Sequence, residues 1–124
     1  MKILVVDDEP DIQMLFEQKF RREIRSGDMD FMFAYSGEEA LDILEKMPQE
    51  AVLILSDINM PGISGLTLLG KIKNMYRVPP PVVMIITAYG NPENVKVAKE
   101  LGADDFLTKP LDFKLLKEKL KIQH

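Results

Sequence analysis

Val52-Leu53-Ile54-Leu55-Ser56-Asp57-Ile58-Asn59-Met60-Pro61-Gly62 is the stretch on which the fold turns. Its opening apolar run has no polar alternation, which suits a strand covered on both faces of a parallel sheet. The run breaks into a Pro/Gly turn directly after a carboxylate, so Asp57 falls at the C-terminal end of that strand. In an open α/β sheet, loops from the carboxyl ends of the strands converge on one crevice where ligands collect. A carboxylate there is a candidate nucleophile, metal ligand or general base. It is also an ordinary turn residue, and the rest of the chain has to decide between these roles.

Upstream, Lys2 to Val6 is another continuously apolar, β-branched segment that ends in Asp7-Asp8. Pro10 suits a first helical turn, and Ile12, Leu15, Phe16, Phe20 and Ile24 follow at helical spacing up to Ser26-Gly27. Phe31 to Ala34 reads as a short strand. Ser36 and Glu39 have capping-box spacing and open a helix with Ala40, Leu41, Leu44 and Met47 facing the core as far as Pro48.

Downstream, Gly62 and Gly65 make a turn, and Leu66, Leu69, Ile72 and Lys73 to Tyr76 read as a helix. Pro79-Pro80-Pro81 is a stiff connector into Val82 to Ile86, a strand that ends in Thr87-Ala88. Asn91-Pro92-Glu93 caps a helix carrying Val95, Ala98 and Leu101, which Gly102 closes. Asp105 to Thr108 is a last strand ending in Lys109-Pro110, and Leu111 to Ile122 is a final helix with Leu115, Leu116 and Leu120 inward. Five strands alternating with five helices predict a flavodoxin-like, doubly wound (βα)5 fold with a five-stranded parallel sheet in the order 2-1-3-4-5.

Composition bounds the function. The 124 residues form one domain, residues 1–124, which buries roughly two thirds of the surface of its unfolded chain. No apolar run approaches the ~20 residues that span a bilayer, and the N-terminal stretch is too short and too soon acidic for a signal peptide. Sixteen basic against twenty acidic residues give a net charge of −4, which argues against direct nucleic acid binding. Lys114, Lys117, Lys119 and Lys121 read as the solvated face of an amphipathic helix. Without cysteine there is no disulfide framework and no thiolate metal site, and a cytoplasmic protein is expected.

In a parallel sheet the strand C-termini share one edge, so Asp7, Asp8, Asp57, Thr87 and Lys109 should gather there. Carboxylates about 5 Å apart would repel by roughly 3 kcal/mol per pair at an effective dielectric of 20, so the cluster needs cations. Lys109 supplies one positive charge, and a hard divalent ion such as Mg²⁺, which takes one or two carboxylates and shares a phosphate, would supply the rest. With Asp57 as nucleophile the set suits acyl phosphate formation, with Lys109 neutralising and Thr87 donating to the phosphoryl oxygens. Neither a P-loop nor Gly-x-Gly-x-x-Gly is present, so a nucleotide is not the obvious phosphoryl source.

Asp7-Asp8, the Ser56 to Gly62 run with Gly65 after it, Thr87-Ala88 and Lys109-Pro110 together resemble the motif set of the receiver (phosphoacceptor) domains of two-component response regulators. The resemblance covers essentially the entire chain and includes the chemotaxis-type single receiver domain. It implies that Asp57 accepts a phosphoryl group from a phosphohistidine of a sensor histidine kinase or phosphotransfer protein. It implies direct Mg²⁺ ligation by Asp8, Asp57 and the Asn59 backbone carbonyl, with Asp7 acting through water. It also implies a cis Lys109-Pro110 bond and a switch in which Thr87 moves toward the phosphoryl group while Phe106 turns inward. That movement would change the surface of the helix from Pro92, the strand from Asp105 and the helix from Leu111, and so control an output domain or target protein. Phe106 stands where many receivers carry Tyr, which removes any role for a phenolic hydroxyl.

Two other functions draw on similar residues. A Mg²⁺-dependent phosphatase or phosphotransferase with an aspartyl phosphate usually needs a second Asp two residues after the nucleophile, where this chain has Asn59, and usually carries a cap domain, which is not expected here. A flavin-binding protein of similar fold would need a Ser/Thr/Gly phosphate loop where Asp7-Asp8-Glu9 stands. The expectation is therefore a switch, not an enzyme, catalysing only its own phosphotransfer and dephosphorylation. The absence of Arg from Lys114 to Lys121 weighs against a tight symmetric dimer, leaving a monomer or weak dimer. In the family, phosphoryl lifetime depends partly on the positions held by Asn59 and Tyr89. His124, terminal in the sequence, is not a candidate phosphate carrier.

Overall fold

A computed structural model describes residues 1–48, 50, 52–75, 77–88 and 92–123; Tyr76, Tyr89, Asn91 and His124, singled out in the sequence, lie outside them. Strands β1 (Lys2–Val6), β2 (Asp30–Ala34), β3 (Val52–Asp57), β4 (Val82–Thr87) and β5 (Asp105–Thr108) pair in parallel in the order β2-β1-β3-β4-β5. Every residue of β3 is buried, as its unbroken apolar run requires. Among the described residues six helices complete the fold: α1 (Ile12–Lys19), α2 (Arg21–Ser26), α3 (Gly37–Lys46), α4 (Gly65–Asn74), α5 (Pro92–Glu100) and α6 (Phe113–Gln123).

Because side chains alternate along a strand, each strand feeds two layers. Leu4, Val6, Ile54, Val83 and Ile85 point to the side of α3, α4 and α5, where Leu44, Leu68, Leu69, Ile72 and Ala98 close an aliphatic layer. Ile3, Val5, Leu53, Leu55, Met84 and Ile86 point to the side of α1 and α6. There Phe16, Phe20, Phe31, Phe33 and Phe113 interlock, with Phe16 and Phe113 centroids 5.3 Å apart and Phe20 and Phe31 5.0 Å apart.

Caps follow the sequence. The Ser36 hydroxyl accepts from the Glu39 amide at 3.1 Å, and the Glu39 carboxylate reaches back to the Tyr35 amide rather than the Ser36 one. Ser64 caps α4 in the same way, accepting from the Thr67 amide at 3.2 Å. At the far end of the sheet, Asp104 extends the ladder between β4 and β5. Its amide donates to the Val83 carbonyl at 2.8 Å, its Oδ2 accepts from the Val83 amide at 2.8 Å, and the same oxygen accepts from Lys73 Nζ at 2.9 Å.

Two helix expectations need correction. The single helix expected from Pro10 to Ser26 divides at Phe20, whose dihedrals leave the helical region (φ −111°, ψ 25°). The hydrogen-bond path survives, since the Phe20 amide donates to Phe16 and its carbonyl accepts from Ile24. The bend keeps the Phe20 ring in the core while Ile24 is left exposed. In α6 the inward face is Phe113, Leu116 and Leu120. Leu115, about 100° around the helix from Leu116, faces solvent instead of the core.

Candidate functional site

The register brings the predicted residues to one edge. Val6 is level with Ser56, Asp57 with Ile86, and Thr87 with Thr108, so the residues at or just past these positions share the C-terminal rim. Asp57 ends β3 and is buried, Asp7 follows β1 and is also buried, and Asp8 is exposed beside it. One carboxylate oxygen from each of Asp7, Asp8 and Asp57 lies within 4.8 Å of the other two. Lys109, just past β5, donates from Nζ to Asp57 Oδ2 at 2.8 Å. Among the described residues Asp57 Oδ1 accepts no hydrogen bond.

Three carboxylates facing one ammonium leave two negative charges without a partner in the site. The electrostatics register the crowding. Burial, reinforced by the charge of Asp57, pushes the Asp7 carboxyl above the usual aspartate range, although the Glu9 amide that donates to its Oδ1 at 3.0 Å opposes the shift. Burial alone would lower the pKa of Lys109, but the hydrogen bond and charge of Asp57, with the charges of Asp7 and Glu9, hold it above the usual lysine value. Clustered hard oxygens in excess of their counter-charge are a donor set that fits a hard divalent cation.

Thr87 is buried at the end of β4, and its hydroxyl donates to the Ala88 carbonyl at 3.2 Å rather than to Asp57. Phe106 is half-buried against the aliphatic layer. Asn59 is exposed. Lys109-Pro110 is cis. Of the residues singled out in the sequence, Asp7, Asp8, Asp57 and Lys109 come together directly, whereas the Thr87 hydroxyl is bonded to the Ala88 carbonyl and Phe106 packs on the aliphatic layer.

The loop after Asp57 is shaped by contacts that sequence reading left out. Gly62 has φ +79°, open to glycine at little cost. The Gly65 amide donates to the Ile58 carbonyl at 2.7 Å, and a Cβ at Gly65 would overlap the Asp57 carbonyl. Glu9, in the sequence simply the third of an acidic run, fixes Asp7 through its amide; adjacency to Asp7-Asp8 is the signal the sequence carries for it. Beside Asp7 opens a recess of about 360 Å³ whose lining includes the charged Asp7, Glu9 and Lys109 and the apolar Ile12, Leu15 and Leu111.

Sheet order and acidic rim define a flavodoxin-like α/β domain with a carboxylate-rich site at its strand ends. The model of the response regulator receiver domain matches residues 3–121, and the chain belongs to that family. It is 40% identical over 117 residues to the response regulator protein PilR of Pseudomonas aeruginosa, covering 94% of this chain and 24% of that protein. It is 33% identical over 124 residues to a cyclic di-GMP phosphodiesterase of Thermotoga maritima, covering all of this chain and 30% of that protein. The chain thus spans less than a third of the length of these two relatives. Among solved structures, a response regulator receiver protein from Pseudomonas putida superposes with a TM-score of 0.82 at 26% identity, over 98% of this chain and 95% of that one. A chemotaxis response regulator of Vibrio cholerae superposes with a TM-score of 0.79 at 26% identity, over 98% and 96% of the two chains. Among the described residues no helix is long and apolar enough to cross a membrane.

Proposed function

We propose that residues 1–124 are one phosphorylation-controlled signalling switch in which Asp57 accepts a phosphoryl group from a phosphohistidine of a sensor histidine kinase or phosphotransfer protein. The observation that carries this reading is the Lys109–Asp57 contact of 2.8 Å set beside two further carboxylates. Lys109 occupies Oδ2, which leaves Oδ1 to attack phosphorus; a P–O bond forms as the P–N bond of the donor breaks. The Lys109 ammonium then faces the new phosphoryl oxygens. Asp8, Asp57 and the Asn59 carbonyl would hold Mg²⁺, with Asp7 acting through water. When bound, Mg²⁺ neutralises developing charge on the phosphoryl group.

The recess lined by Asp7, Glu9 and Lys109 adjoins the Asp57 cluster, and Met14 and Leu15, exposed on α1, give a donor protein apolar purchase. Thr87 turns from the Ala88 carbonyl to the phosphoryl oxygen, and Phe106 moves into the space released. The faces of α5, β5 and α6 change as a two-state packing element and control an output domain or target protein. The domain catalyses only its own phosphotransfer and dephosphorylation, binds no nucleic acid itself, and works in the cytoplasm as a monomer or weak dimer.

Intact mass after incubation with acetyl phosphate tests the reading. A gain of one phosphoryl group is expected with Mg²⁺, and none with EDTA or in Asp57→Asn. Absence of any gain in the unaltered protein with Mg²⁺ overturns it.

A further inference from the structure

Phe106 stands apart from the other phenylalanines. The remaining five interlock on the α1 and α6 side, whereas Phe106 touches no other ring among the described residues. It lies half-buried at the surface of the aliphatic layer. An aromatic side chain with no hydroxyl has no polar tip to hold it toward water, and burial of the ring would be favoured wherever space allows. What faces the ring is Lys99 of α5, whose Nζ lies 5.8 Å from the ring centroid, within the reach of a cation–π contact. Lys99 forms no ion pair with any described residue.

We propose that Lys99 is a positioning residue whose ammonium holds the Phe106 ring in the outward, unphosphorylated arrangement and so sets the resting bias of the switch. This rests on the phosphoacceptor reading of Asp57. The contact exists only while the ring is outward, so it stabilises one of the two states and not the other, which is the condition for shifting an equilibrium. The Thr87 hydroxyl, directed at the Ala88 carbonyl, belongs to the same resting arrangement.

The test is binding of beryllofluoride with Mg²⁺, a phosphoryl mimic, followed by NMR titration. Loss of a surface cation–π contact predicts that Lys99→Met binds the mimic about two- to five-fold more tightly. Lys99→Arg, which keeps the cation, should bind as the unaltered protein does. Lys114→Met, an equal change of charge at an exposed lysine with no ring beneath it, is the control for overall electrostatics. In a Phe106→Leu background the Lys99→Met effect should vanish. The ε-methylene protons of Lys99 should also be shifted upfield by the ring current and lose that shift when the mimic binds. The proposal is overturned if Lys99→Met tightens binding no more than Lys114→Met, or if its effect persists without the ring. If the unaltered protein binds no mimic, the phosphoacceptor reading falls and the latch with it.

Discussion

The two faces of the sheet are packed with different materials. On the α1 and α6 side, five phenylalanines meet edge to face and in stacks, and Phe16 and Phe20 are fully buried. On the α3, α4 and α5 side the buried layer is Leu, Ile, Val and Ala, and the one aromatic among its described residues, Phe106, sits at the margin. Interlocked rings resist rearrangement because each has several neighbours in a preferred geometry. A layer of branched aliphatics with one unlocked ring at its edge can take up a second packing at smaller cost. The contrast places rigidity behind β1 and β2 and adaptability beside β4 and β5.

The largest effect should come from opening the rigid side. Phe16→Ala removes the ring that contacts all four others and is expected to cost about 3–5 kcal/mol in urea unfolding. Phosphoryl gain per folded molecule should stay unchanged, and a loss there as well would mean that the two layers are not separable. Gly65→Ala should reverse the pattern. Relieving the overlap with the Asp57 carbonyl is expected to cost about 1–3 kcal/mol, while a displacement near 1 Å at the nucleophile lowers the initial rate with acetyl phosphate about a hundredfold.

Smaller effects, of opposite sign, separate two carboxylates by pH. Burial raises the Asp7 pKa in the folded state, so the folded protein holds that proton longer and stability falls as pH rises from the unfolded value through the folded one. Asp7→Asn should therefore stabilise the metal-free protein at neutral pH, with the gain vanishing below about pH 3.9, the ordinary aspartate value. For Asp105, burial works against ionisation, but bonds from Lys119 and the Phe106 amide outweigh it and lower the pKa. Its stabilisation is present at neutral pH and is lost as pH falls through the depressed folded value. Lys119→Met should reduce that acid-side loss, the Phe106 amide remaining, and cost no more than about 1 kcal/mol. Parallel pH curves for the two variants would contradict both assignments.

Strand order and the carboxylate rim were legible because both depend on local patterns. A doubly buried strand writes itself as an unbroken apolar run, and a residue after it inherits its place from the sheet. The break at Phe20 was not legible, since Phe20 continues the helical spacing and only the ring cluster, assembled from distant segments, bends the chain there. Leu115 failed for the converse reason: three leucines in α6 offered two possible faces, and contact with the sheet chose between them. Lys117 and Lys119, read as solvated, reach Glu23 and Asp105 across the fold, and sequence spacing cannot report such pairs. Lys99 over Phe106 is of the same kind.

Asp104 would give the proposed switch its mechanical frame. Its backbone and carboxylate together stitch Val83 at the start of β4 to the start of β5, and its tie to Lys73 fastens the end of α4 to the same point. This seam lies at the opposite end of β4 and β5 from Thr87 and Lys109. At the Thr87 end the two strands stay joined, the Lys109 amide donating to the Thr87 carbonyl at 3.0 Å, so in the proposed switch they would move there as a pair. A small displacement of Thr87 toward a phosphoryl group would then be expressed as a swing of the upper half of β5, with Asp104 as its fulcrum and the lower half of the sheet left in place.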